Sequence, residues 1–152
     1  MNNQPEHDSQ NAYQAGDLNG LVKLMSEKQQ LSFKEAVVRQ TIYYVSKQLP
    51  PEEKDNGERY FISLANQWLK QPTEENAKNA SMGVACDYID GGMRYFDYPS
   101  YFLAPAEAAA SSAYGATECA LTASGNDSRA AYQWQITAAW AILNNKEPPL
   151  LK

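Results

Sequence analysis

Apolar and polar residues alternate along this chain with the period of a helix, almost from end to end. After a polar opening stretch, Leu18, Leu21, Val22 and Met25 fall on one side of a short helix, with Asp17 placed to cap it. In "LSFKEAVVRQTIYYVSKQLPP", Phe33, Val37, Thr41, Tyr44, Val45 and Leu49 repeat at helical spacing. Ser32 and Glu35 there have the spacing of a capping box, and Pro50-Pro51 stops the helix. In "NGERYFISLANQWLKQP", Tyr60, Phe61, Leu64, Ala65, Trp68 and Leu69 make a third stripe that Pro72 ends. Thr73 caps a fourth helix, with Ala77, Ala80, Ser81, Val84, Ala85, Tyr88 and Ile89 as its inner face, closed by Gly91-Gly92.

The next segment reads differently. From Pro105 to Ser124 small residues occupy nearly every side: Ala106, Ala110, Ala113, Thr117 and Ala120 on one stripe, and Ala108, Ser112, Gly115, Cys119 and Thr122 on another. The pattern predicts one long central helix, because small side chains let neighbouring axes approach to about 8 Å. Gly125 ends it, and Asp127 caps a last helix that cannot extend past Pro148-Pro149. β-branched residues are sparse, strict alternation is absent and no segment recurs at a fixed period. The expectation is therefore an all-α, compact bundle of five main helices plus a short N-terminal helix, around an alanine-rich central helix. Residues 1–16 read as a disordered tail, 17–147 as a single helical domain and 148–152 as a short C-terminal extension.

Composition narrows the chemistry. The net charge is -5, and Lys and Arg are scattered, so neither nucleic acid nor an anionic membrane is an expected partner. The start "MNNQPEHDSQNAYQAGD" has no signal-peptide pattern, and no apolar run approaches the ~20 residues of a membrane span, so a cytoplasmic location is expected. Cys86 and Cys119 read as buried free thiols. The sole histidine, His7, lies in the presumed tail, which removes Ser-His-Asp and Cys-His catalysis and His-based zinc or di-iron sites. No phosphate-binding glycine loop occurs, and no cofactor or metal is expected. Glu107 and Glu118 share a third stripe, but on one straight helix they stand about 16 Å apart, too far to act on one bond. Either could pair with Arg59 or Arg129.

The least ordinary stretch is "DYIDGGMRYFDYPSYF", Asp87 to Phe102, with three aspartates, one arginine and six aromatic rings. Its charges read either as a glycine turn with local pairing, Arg94 compensating Asp87 or Asp97, or as an acid cluster gripping a cationic partner. Its aromatics either cover the end of the bundle or form a docking surface. The candidate binding residues are Asp87, Asp90, Arg94, Tyr95, Tyr98, Tyr101, Glu107 and Tyr114.

The start "ERYFISLANQWLKQPTEENAKNA", followed by the alanine-rich hairpin "APAEAAASSAYGATECA" and "SRAAYQWQITAAWAIL", resembles the all-helical immunity proteins of bacterial polymorphic toxin systems. That resemblance implies a non-enzymatic cytoplasmic protein that binds and neutralises a toxin domain, with acidic charge suited to a basic toxin. The alternatives are a small-ligand or enzymatic protein, with a pocket between the central helix and the 90–102 connection, and a self-associating bundle. The first would draw its polar groups from Glu107, Tyr114, Asp87 and Arg94.

Overall fold

The computed structural model describes residues 4–48, 57–86 and 100–151. All regular structure in them is helical: α1 (Gln4–Ala15), α2 (Leu18–Lys23), α3 (Glu27–Gln48), α4 (Gly57–Lys70), α5 (Glu74–Cys86), a 3-10 turn (Ser100–Leu103), α6 (Ala104–Ala110), α7 (Ala113–Ser124) and α8 (Ser128–Leu143). No helix among them is long and apolar enough to cross a membrane.

Several helix boundaries follow from side-chain caps that were readable in advance. Asp17 accepts a hydrogen bond from the Gly20 N–H at 2.9 Å, and Leu18, Leu21, Val22 and Met25 are all buried behind it. Thr73 accepts from the Asn76 N–H at 3.1 Å and starts α5. Gly125 ends α7 with a positive φ of 56°.

The start of α3 is a correction. The helix begins six residues before the expected box, where Ser26 and Gln29 cap each other: the Gln29 N–H donates to Ser26 Oγ at 3.1 Å and the Ser26 N–H donates to Gln29 Oε1 at 3.0 Å. Ser32 and Glu35 therefore stand on a helix face, not at an end.

The opening residues are a second correction. Gln4–Ala15 is a helix, closed by a paired reversal at Gly16, whose φ is +68°. The Asp17 N–H reaches the Ala12 carbonyl at 2.8 Å and the Gly16 N–H reaches that of Tyr13 at 3.1 Å. Tyr13 stacks on Trp140 with ring centres 4.7 Å apart, and Tyr132 Oη donates to the Gly16 carbonyl at 2.7 Å. One aromatic stack and one hydrogen bond thus fasten a polar helix to α8.

The third correction concerns the central helix, which is two helices. At Ser111 the backbone turns extended (φ -91°, ψ 172°), and its hydroxyl donates to the Glu107 carbonyl at 2.6 Å. Ser112 then caps α7 by accepting from the Gly115 N–H at 3.1 Å. The two pieces pack differently: α6 lies against α3, α4 and α5, and α7 against α3 and α8. Ala104, Ala106, Ala108, Ala109, Ala116, Ala120 and Ala123 are all buried, as close approach from several sides requires. Helices α4 and α5 also meet closely, at Gly83, where a Cβ would collide with Leu64 Cδ1.

Two glutamines join the halves inside the core. Gln40 on α3 and Gln135 on α8 are both 0% exposed. Gln135 Nε2 donates to Gln40 Oε1 at 3.0 Å and to the Thr117 carbonyl at 3.2 Å, and Gln40 Nε2 donates to the Ala131 carbonyl at 3.0 Å. The pairing is incomplete: Gln135 Oε1 is buried without a hydrogen-bond partner among the described residues, and such an orphan costs about 1–3 kcal/mol. Gln135→Ala should lower stability by about 2–4 kcal/mol, through a cavity and an unpaired Gln40 Oε1, while Gln40 Nε2 keeps its bond to the Ala131 carbonyl. The double replacement of Gln40 and Gln135 by leucine should cost less than the two single leucine changes added together, a non-additivity that urea titration of the four proteins would measure.

Candidate functional site

Of the residues singled out in the sequence, Asp87, Asp90, Arg94, Tyr95 and Tyr98 lie outside the described residues. Tyr101 belongs to the 3-10 turn that leads into α6. Glu107 is half-buried on α6, and Tyr114, in the first turn of α7, is 44% exposed. The break at Ser111 separates these two onto different helices, and it also removes the straight-rod argument about Glu107 and Glu118. Neither glutamate has an ion-pair partner among the described residues, so neither pairs with Arg59 or Arg129, and Glu118 is exposed.

The break gathers Glu107, Ser111 and Cys119 instead. Burial pushes the Glu107 carboxyl above its ordinary value. Burial first, and then the nearby Glu107 charge, push the Cys119 thiol up to about 11, with the Ser111 hydroxyl acting weakly the other way and Glu118 adding slightly. A thiol held protonated is neither a nucleophile nor a metal ligand. This cluster closes a helix junction; it does not activate a reacting group.

A different set of charges faces solvent. An open groove of about 750 Å³ runs between α3 and the chain leaving α8. One wall is a single face of α3, where Lys28, Ser32, Glu35 and Arg39 follow one another at intervals of four, three and four residues. The other wall is Lys146, Glu147 and Pro148, with Ala36 and Ile142 between.

The second wall exists because of a reversal at Asn145, whose φ is 58°. There the Lys146 N–H reaches the Ala141 carbonyl at 2.8 Å and the Asn145 N–H reaches that of Ile142 at 3.0 Å. Gln29, part of the α3 cap, donates to the Ile142 carbonyl at 3.3 Å and ties the two walls together. Lys28, Glu35, Arg39, Lys146 and Glu147 form no ion pair with one another or with other described residues. The sequence pattern does not point to the groove, because Ser32 and Glu35 have the spacing of a cap. The signal was present in the helical spacing of Lys28, Ser32, Glu35 and Arg39.

Among the described residues no group of three or more His, Cys, Asp or Glu side chains is placed to hold a metal ion. Comparison with known protein families, characterised proteins and solved structures finds no match to this chain.

Two measurements check the electrostatics of the helix junction. A raised carboxyl pKa means the folded chain holds its proton more tightly than the unfolded chain. As pH rises past the ordinary glutamate value of ~4.3, the unfolded state gains stability relative to the folded one. Glu107→Gln should therefore raise the urea midpoint near about pH 7 and leave it nearly unchanged near about pH 3, where both states are protonated. In a Cys86→Ser background, iodoacetamide should alkylate Cys119 near pH ~8 at least about a hundredfold more slowly in the folded protein than in urea.

Proposed function

We propose that this chain is a non-enzymatic, protein-binding helical protein whose docking surface is the groove between α3 and the α8 exit. The observation that carries this reading is the set of five unpaired charges of both signs on two braced walls. Small-molecule sites enclose most of their ligand in mainly apolar walls. This groove is open and polar, with Ala36, Ile142 and Pro148 as its apolar contacts. Charges of both signs, left unpaired within the chain, suit complementary charges on a partner, which supply orientation and specificity.

The net charge of -5 supports the narrower reading of a toxin-neutralising, immunity-like protein. It would speed encounter with a basic toxin domain, while the groove would choose the segment that docks. The Asp87–Phe102 segment is the competing surface.

A photo-crosslinking amino acid at Ser32, compared in cells with one at Tyr98, tests the assignment. The expected result is a discrete heteromeric adduct from Ser32 that disappears when Lys28 and Arg39 are both changed to glutamate. Adducts from Tyr98 alone would overturn the groove assignment. A folded protein giving no adduct from either position would count against protein binding.

A further inference from the structure

Helix α1 reaches its place on α8 through a tight hinge, and the seat it occupies there is present on every copy of the chain. We infer that α1 is an exchangeable arm: when Gly16 leaves its left-handed conformation, α1 docks over Trp140 of a second copy, and two chains form a reciprocal dimer.

The arm depends on its seat. Its 12 residues, QPEHDSQNAYQA, are mostly polar. An isolated helix of about that length is marginal in water, so docking is what keeps it ordered. Ala12 packs against the core, Tyr13 stacks on Trp140 with ring centres 4.7 Å apart, and Tyr132 Oη donates to the Gly16 carbonyl at 2.7 Å.

The hinge decides whose arm is seated. Helix α1 turns back on its own body because Gly16 has a φ of +68°, which puts the Asp17 N–H on the Ala12 carbonyl and the Gly16 N–H on that of Tyr13. A Cβ at Gly16 would meet nothing within 4 Å, so a side chain there acts through backbone conformation alone. Alanine disfavours the left-handed region by roughly tenfold, and it favours the right-handed helix. With Gly16 and Asp17 both helical, the Gly20 N–H passes from the Asp17 side chain to the Gly16 carbonyl. Residues Gln4 to Lys23 then run on as one helix of about 30 Å, and Trp140 of the same chain is uncovered.

Each opened chain thus carries a loose arm and a vacant seat. The arm of a second copy restores the same contacts, because the residues are the same, and two copies satisfy each other with two-fold symmetry and no open end. In the native chain the exchange is opposed by the short tether, which holds α1 at its own seat at an effective concentration of about 1 mM. Removing the hinge preference in both chains favours the dimer by about a hundredfold, tenfold for each hinge.

Sedimentation velocity of the whole chain, with Gly16→Ala and Gly16→Asn, tests the inference. Asparagine tolerates the left-handed region, so Gly16→Asn should stay monomeric at about 100 µM, as should the native chain. Gly16→Ala should dimerise at least about a hundredfold more tightly, and adding Tyr13→Ala should weaken that dimer at least about tenfold. Equal amounts of isotope-labelled and unlabelled Gly16→Ala chains, unfolded together and refolded, should give an isotope-filtered NOE from the Tyr13 ring of one copy to the Trp140 ring of the other. Circular dichroism checks that the variant folds. The native chain, mixed and refolded in the same way at about 2 mM, gives the same readout without any substitution. A crossing NOE in neither protein overturns the inference, as does a folded Gly16→Ala protein that stays monomeric, with its arm seated or loose. A dimer that survives Tyr13→Ala unchanged, or that forms equally well with Gly16→Asn, also overturns it.

Discussion

At Ser111 the backbone turns out of the helix, and two neighbouring hydroxyls take over the capping of the broken ends. The rest of the bundle depends on this exchange. Ser111 caps back onto the Glu107 carbonyl and Ser112 caps forward onto the Gly115 N–H. A straight helix of ~30 Å could present its small faces to only one set of neighbours. Broken, the same residues serve two sets: α6 is enclosed by α3, α4 and α5, while α7 turns toward α3 and α8. The 22-residue α3 is long enough to run beside both pieces. It carries the glutamine that reaches α8 through the core.

The same break sorts the charges of the molecule. Glu107 is held half-buried with no cation beside it, and burial, with the Glu107 charge second, keeps Cys119 protonated. Such a group costs stability at neutral pH and offers no reactivity in return. On the groove face of α3, Lys28 and Arg39 are exposed and Glu35 is half-buried, and none of them is in an ion pair among the described residues. A desolvated acid at a helix junction is a structural compromise, made so that the alanines around it can meet.

Which parts were legible follows from the range of the forces involved. The caps at Asp17 and Thr73 and the buried stripe of α2 are local, so residue spacing sufficed to find them. The start of α3 was ambiguous because two boxes of similar chemistry lie six residues apart, and only the one at Ser26 coincides with the end of α2. The break at Ser111 was invisible because alanine on both sides favours continuation, and tertiary packing overrode that local preference. Helix α1 was missed because its composition is polar. Its two determinants, the glycine reversal at Gly16 and the ring of Tyr13 on Trp140, become persuasive only with α8 alongside. As for the candidate site, Glu107 and Tyr114 share one stripe in the sequence pattern, and the break at Ser111 puts them on different helices. The groove is formed across more than a hundred residues of chain, by the Gln29 bond to Ile142, and helical periodicity carries no such information.

An alanine-lined centre also shapes how the molecule responds to heat. Alanine has almost no side-chain conformational freedom to lose, so ordering these residues is entropically inexpensive. Each also removes little apolar area from water, and that area sets the heat-capacity change of unfolding. A bundle whose middle is built from Ala106, Ala108, Ala109, Ala116 and Ala120 therefore draws less on hydration and more on close van der Waals contact between backbones. Its stability curve should be broader and flatter with temperature than that of a leucine-cored bundle of equal length.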